Sequence, residues 1–344
     1  MAFSRQTKVG IYLTVMILFV TFGVYFYQIL YSPNLQVAHK APRMLYIPTG
    51  ASFEQVIDSL TKHKILSDEL TFRFIAKAMG YTDKVQPGAY LINPDTGNLA
   101  VVKMLINGRQ SPVKLTFNNV RLKQDLAQKI GNKLELDSAQ LLTRLLNPDT
   151  CRAYGFAPET VPCMFVPNTY ELYWNISGPG LWKRMLKEYG RFWTEERKAK
   201  AEALKLTQVE VITLASIVQA ETQKRDEMPT IAGVYLNRLR IGMKLQADPT
   251  VVFATGDFTI RRVREKHRIT DSPYNTYMYE GLPPGPVNLP GSAAIDATLS
   301  PQAHEFLFFV ARPDLSGYHD FSKDFNSHVA KANAYRGKLD EMKL

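Results

Sequence analysis

From Val9 to Tyr31 the chain carries no charged side chain over 23 residues, and the core of that run reads IYLTVMILFVTFGVYFYQIL. A helix rising about 1.5 Å per residue crosses a bilayer core with about 20 such residues, so the pattern predicts a transmembrane helix over 9–31. A cleaved signal sequence has a shorter apolar core, about 7–15 residues, ending at small side chains. Here the run ends on Tyr27, Gln28 and Tyr31, which suit a membrane interface. Arg5 and Lys8 precede it, so the positive-inside rule predicts a cytoplasmic segment 1–8 and an extracytoplasmic remainder.

Residues 32–44 read as a tether. In 45–112 the apolar period changes twice. Met44–Ile47 and Ala89–Ile92 read as strands. Ser52 and Gln55 form a capping box ahead of a helix carrying Phe53, Val56, Ile57 and Leu60. A second helix is predicted over 68–79, with Gly80 just beyond it, and a third ends near Gly108. In 113–205, VKLTF reads as a strand, and amphipathic patterns recur around 122–133, 137–147 and 180–204. In 206–344, Thr207 and Glu210 make a capping box for TQVEVITLASIVQAET. Another helix begins at Glu227-Met228-Pro229, with Ile231, Val234, Tyr235 and Leu239 as its stripe, and ends at Gly242. KLQADPTVVFATG reads as a Pro-punctuated apolar stretch, EFLFFVA as a buried strand, and GYHDFSKDF as a turn into a last helix. The whole predicts an α+β protein with one N-terminal transmembrane helix, a β-α-α-β module at 45–112, a linking subdomain at 113–205 and a mixed α+β domain at 206–344.

Composition narrows the function classes. With 344 residues, 45% hydrophobic and 22% charged, the chain is neither disordered nor multi-spanning. Its net charge of +10 would suit nucleic acid if it were spread over a cytoplasmic chain. It is not: residues 1–44 carry +4, 45–205 carry +6, and 206–344 are neutral with 16 basic and 16 acidic side chains. The excess reads as a signal of location near anionic lipid or polymer, and a nucleic-acid partner is not expected. Two cysteines exclude a disulfide scaffold or a four-cysteine zinc site, and Cys151 and Cys163 read equally as a bridge or as two buried thiols. The chain holds no HExxH, GxSxG, P-loop or GxGxxG motif, and its six histidines are scattered. No metal and no cofactor is expected, and His319 and His328 read as structural or surface histidines.

The candidate chemistry sits on the helix opened by Thr207. Glu221 follows Leu214, Ile217 and Val218 by seven, four and three residues, which places a carboxylate at the C-terminal end of an apolar face. Desolvation and the helix C-terminus both raise such a group's pKa, as a general acid requires. A Glu paired to a nearby Lys or Arg is the plain alternative. Downstream, SPYNTYMYEGLPPGPVNLPG offers aromatic faces and amides suited to a sugar cleft, though a surface loop has a similar composition.

Four long stretches carry a family resemblance: LASIVQAET, IAGVYLNRLRIGMKLQADPTVVFATG, SPYNTYMYEGLPPGPVNLPG, and FLFFVA followed by GYHDFSKDFNSHV. In this order and spacing they resemble the endolytic murein transglycosylases of the MltG (YceG-like) family. The 45–112 module resembles the cell-wall-binding LysM order. A generic α+β module has the same order. The resemblance implies that Glu221 is the single catalytic acid/base. It implies cleavage of the β-1,4 bond between N-acetylmuramic acid and N-acetylglucosamine without water, giving 1,6-anhydro ends on nascent strands. It implies substrate contacts from Asn237, Arg238, Gln246, Asp248, Tyr274, Asn275 and Tyr277. The expected partners are peptidoglycan strands, the membrane and peptidoglycan synthases, at the cytoplasmic (inner) membrane. Two departures stand out: Gln219 where many relatives have a Glu, and FNNVR at 117–121 where many relatives have Pro-Glu-Gly. A hydrolytic muramidase and a non-catalytic wall-binding scaffold are the competing classes.

Overall fold

The computed structural model describes residues 4–35, 41–94, 96–117 and 120–342, so residues 36–40 of the expected tether and 118–119 of FNNVR lie outside the described residues. Helix α1 (Arg5–Tyr31) starts four residues earlier than the charge-free run, because Ser4 caps it by accepting from the Thr7 amide. Its most apolar 18-residue window has a mean hydropathy of 2.2, none of it buried, so the helix is long and apolar enough to cross a membrane. The first half continues with β1 (Pro33–Leu35), β2 (Arg43–Ile47), α2 (Phe53–Lys62), α3 (Glu69–Ala78), β3 (Gly88–Ile92), β4 (Thr96–Gly97), α4 (Asn98–Ile106) and β5 (Val113–Thr116). Then follow α5 (Lys123–Gly131), α6 (Ser138–Leu146), α7 (Pro148–Arg152), β6 (Thr169–Leu172), α8 (Gly178–Phe192) and α9 (Glu195–Ala203). The last part holds α10 (Gln208–Glu221), α11 (Met228–Arg240), α12 (Asp248–Thr255), α13 (Glu265–Arg268), α14 (Ser292–Leu299), β7 (Phe308–Ala311), β8 (His319–Ser322) and α15 (Phe325–Glu341). The mixed helix and sheet composition matches the expected α+β class.

The chain forms two compact units. The first comprises Met1–Lys114, Lys133–Glu135 and Glu171–Ile176. Here β2 and β3 pair antiparallel from Arg43↔Ile92 to Ile47↔Gly88, with α2 and α3 between them in sequence. Both expected signals operate: the Ser52/Gln55 capping box opens α2, and Gly80 takes the left-handed φ of +70° after α3. Leu45, Ile47, Val56, Leu60, Phe72 and Ile92 are buried in one core with Val101 and Leu105 of α4.

The expected tether is corrected in part. Pro33–Leu35 pair with Thr96–Gly97 as β1 and β4, and Leu35 is fully buried in the module core. Asn34 fixes this segment: Oδ1 accepts from the Asp68 amide at 2.7 Å, while Nδ2 donates to the Asp68 carbonyl and to Asn98 Oδ1, both at 2.7 Å. A buried amide with every site satisfied specifies a register that apolar packing alone would leave loose.

The second unit comprises Leu115–Asn132, Leu136–Tyr170 and Ser177–Leu344. Its centre is α10, whose residues Val211 to Val218 are all buried; α14, α11 and α12 surround it. Several expectations change here. The 180–204 pattern is two helices, because Thr194 caps a new one by accepting from the Arg197 amide. KLQADPTVVFATG contains α12, with Pro249 in its first turn, where no N–H is needed. EFLFFVA yields only β7, which is half-buried, because within the described residues β8 is its sole strand partner. GYHDFSKDF contributes β8 itself before α15. Cys151 and Cys163 are both free and buried, and burial raises both thiols' pKa.

Asn34→Ala should remove three of these bonds and leave the Asp68 backbone and Asn98 unsatisfied. We expect a loss of about 2–4 kcal/mol in thermal or denaturant unfolding followed by a probe in this unit. Wild-type stability would show that Asn34 does not hold the segment.

Candidate functional site

Helix α10 is buried on all sides rather than along one face, and Glu221 is its last residue, half-buried where the chain turns away. It borders a cavity of about 280 Å³, lined also by Asp248, Phe253, Phe258, Arg261 and Asn288. The Tyr235 hydroxyl, from the buried face of α11, donates to Glu221 Oε1 at 2.8 Å. The Tyr235 ring is itself held edge-on against Phe309 of β7, with centroids 5.9 Å apart.

The electrostatics follow from this packing. Burial raises the Glu221 pKa to about 7. The Tyr235 bond opposes the rise because it favours the carboxylate, the Asp248 charge adds to it, and the Arg238 charge opposes it. Burial pushes the Tyr235 phenol well above its usual range, and the Glu221 charge and bond push it the same way, so it remains a donor.

Beside Glu221, the expected site residues other than Gln246 divide into two groups. Asp248, at the start of α12, lines the cavity, and its Oδ1 accepts from the Tyr277 hydroxyl at 2.7 Å. Tyr277 in turn has the Arg268 guanidinium over its ring at 4.8 Å. Tyr274 borders a smaller adjoining cavity and packs on Phe253 with centroids 4.6 Å apart; burial raises its pKa to about 12. The other group is consumed in holding the walls. Arg238 donates through Nε to the Leu307 carbonyl at 2.7 Å and through Nη1 to the Leu245 carbonyl at 2.6 Å. Asn237 donates to the carbonyls of His304 and Phe306 at 2.8 and 3.1 Å. Asn275 is 0% exposed, and its amide donates to the carbonyls of Arg268 and Thr270, both at 2.8 Å. Gln246 is exposed, takes a left-handed φ of +47°, and lines none of these cavities.

Three residues with site positions were not singled out from sequence. Tyr235 reads from sequence as core stripe, which it also is. Asn288 donates to the Ser216 carbonyl at 2.8 Å and lines the cavity. Arg121 lines it from the other side, with its guanidinium 4.6 Å from the Phe258 ring centre. The departure at Gln219 has a structural use: Oε1 accepts from the Gly291 amide at 2.7 Å, a bond that ties the Pro-rich loop to α10.

Two further acids of 206–344 are occupied. Glu227, read as a helix-start residue, is buried; its carboxylate accepts from the His319 amide and faces His319 Nδ1, both at 2.7 Å. Glu210 completes the α10 capping box. Among the described residues no three His, Cys, Asp or Glu side chains converge as metal ligands.

The chain's relatives agree with one another. A model of the YceG-like family matches residues 45–334. An endolytic murein transglycosylase of Bacillus subtilis is 27% identical over 311 residues, covering 86% of this chain and 85% of its own length. One from Streptococcus pneumoniae strain D39 is 26% identical over 295 residues, 77% of this chain, and the chain spans 53% of its length. The crystal structure of a YceG-like protein from Listeria monocytogenes superposes with a TM-score of 0.56 at 26% identity, over 85% of this chain and 99% of that one. With most of its length matched by that family model, the chain belongs to the YceG-like family.

Proposed function

We propose that the chain is a membrane-anchored lytic endotransglycosylase of peptidoglycan, with Glu221 as its single acid/base. The observation that carries the reading is a carboxyl group half-buried at the wall of a cavity, with a pKa raised to about 7 and one donor fixed on one oxygen. Near neutrality both protonation states are accessible, as a group that gives a proton and then takes one requires. Protonated Glu221 donates to the glycosidic oxygen as the C1–O bond breaks. The resulting carboxylate accepts the proton of the muramic C6 hydroxyl, whose oxygen closes on C1. The product carries a 1,6-anhydro end, no water is consumed, and Glu221 is protonated again. An ordinary glycosidase uses two carboxylates instead. Tyr235, by occupying Oε1, leaves Oε2 to carry the proton.

The rest of the chain fits this reading. α1 anchors it in the cytoplasmic (inner) membrane with residues 1–8 cytoplasmic. The strand-helix-helix-strand module of 45–112 serves as a LysM-like wall-binding unit, 113–205 links, and 206–344 is the catalytic part. So placed, the enzyme terminates nascent strands beside the synthases. Asp248 and Tyr274 contact the sugar, with Tyr277 orienting Asp248; Asn237, Arg238 and Asn275 shape the cleft, and Gln246 meets substrate only beyond the cavity.

One observation favours a hydrolytic muramidase as the second reading: Asp248 is a further carboxylate on the same cavity. Asp248→Asn separates the two. Anhydro-ended products persist if one carboxylate suffices, and cleavage stops if Asp248 must activate water. Glu221→Gln should lower cleavage of purified peptidoglycan by about 10³-fold, the scale of general acid–base catalysis, with strand binding retained. Intact cleavage in that variant refutes the assignment. For the wild type, kcat/KM should hold below pH 7 and fall as pH rises through about 7, because the reaction begins with protonated Glu221. Tyr235→Phe removes a bond that favours the carboxylate, so the falling limb should move up by about one pH unit. A limb that stays in place, or moves down, would show that the bond does not set the acidity.

A further inference from the structure

The Glu221 cavity continues into a groove of about 820 Å³, and the two share Arg121, Ala220, Phe258 and Asn288 along their walls. Arginines punctuate this surface: Arg261 on the first cavity, Arg225 on the groove, and Arg121 on both. Among the described residues none of the three forms an ion pair, whereas Arg73, Arg184, Arg191, Arg197 and Arg312 all do. The neighbouring acids do not neutralise them. Asp125 accepts from the Leu122 amide at 3.0 Å as part of the α5 N-terminus, and Asp248 accepts from Tyr277. Arg121 lies over the Phe258 ring, and its side chain is exposed on the wall of the groove. The segment carrying it is fixed at the rim, since the Leu289 amide donates to the Val120 carbonyl at 2.8 Å.

We propose that this groove is an anion subsite in which Arg121 and Arg225 bind carboxylates of the peptide borne by the muramic acid next to the scissile bond. The inference rests on the proposed transglycosylase reading and adds a selectivity to it. A planar guanidinium takes a carboxylate through two parallel N–H bonds, and the sugar backbone offers none while its lactyl carboxyl is tied up as the peptide amide. The lactyl carboxyl of each muramic acid is joined by an amide to a peptide with free carboxylates, so a strand lying with one muramic acid at Glu221 delivers anions beside it. The enzyme then prefers strands whose peptides are intact.

The test uses the full chain in detergent and two substrates: uncrosslinked strands with intact peptides, and the same strands stripped by an amidase. Stripping leaves the lactyl carboxylate, so the pair separates the peptide's carboxylates from the sugar's own. The readout is the ratio of kcat/KM for anhydro-ended products on the two. The wild type should favour intact strands by about fivefold to tenfold, the scale of two exposed charge-assisted contacts, with the preference shrinking in 0.5 M salt. Arg121→Gln with Arg225→Gln should bring the ratio close to one, and the paired Lys substitutions should restore part of it. A wild type that cleaves both strands equally, or a double variant that keeps the wild-type ratio, overturns the subsite and leaves the transglycosylase reading standing. A wild type that yields no anhydro ends on either strand removes that reading, and the subsite with it.

Discussion

A single hydrogen bond organises the second unit, from the Tyr235 hydroxyl to Glu221 Oε1. It joins the ends of two requirements that oppose each other. Helix α10 is buried on all sides, so its position is fixed by apolar packing and tolerates little movement. Its last residue is ionisable, and ionising it there is unfavourable. Had Glu221 no donor, burial would drive its acidity further from neutrality; had it a full counter-ion, it would ionise too readily to hold a proton. A neutral phenol offsets part of the burial term and leaves the rest. Tyr235 can do this only because α11 packs against α10 and because Phe309 fixes its ring.

The walls around this bond have little regular structure, yet they are closed by satisfied polar groups. Ser216, inside α10, donates to the Thr213 carbonyl and accepts from the Val287 amide, and its own carbonyl accepts from Asn288. Thr250 and Thr276 hydrogen-bond at 2.8 Å, and the Thr276 hydroxyl takes the Ala247 amide, which carries the chain into Asp248. Each of these groups would be costly if left unpaired in the interior, so the loops are locked by mutual need as much as by packing. Gly233 makes the same point sterically: a Cβ there would sit 2.6 Å from His304 Nε2, so only glycine lets the 302–306 strap lie against α11.

How far the sequence carries depends on what each signal measures. Capping boxes and long apolar periods are local, and α2, α10 and the strands β2 and β3 are legible from them. Glu221 was legible too, because its place at the end of an apolar helix is a matter of spacing. Composition was a poorer guide. The Tyr- and Asn-rich loop reads as a cleft surface, but Asn275 and Thr276 point inward and hold the loop together, and Tyr277 is committed to Asp248. β8 was hidden because HDFS is polar and only pairing with β7 makes it a strand. Tyr235 was hidden for the opposite reason: a tyrosine in an apolar stripe looks like core until the partner of its hydroxyl is known.

Charge shows the same limit. Residues 206–344 balance to zero, which suits an enzyme that handles an uncharged sugar backbone. Yet a segment's sum says little about the potential in its cleft, because charges paired on the surface cancel locally while unpaired ones project. Glu227 is absorbed by His319, Glu305 by Lys323 and Asp320 by Arg312, all away from the cavity lining. The arginines on the cavity and groove have no such partners among the described residues. A neutral block can therefore present a basic cleft, and only the assignment of each carboxylate to its partner reveals which charges remain for a substrate.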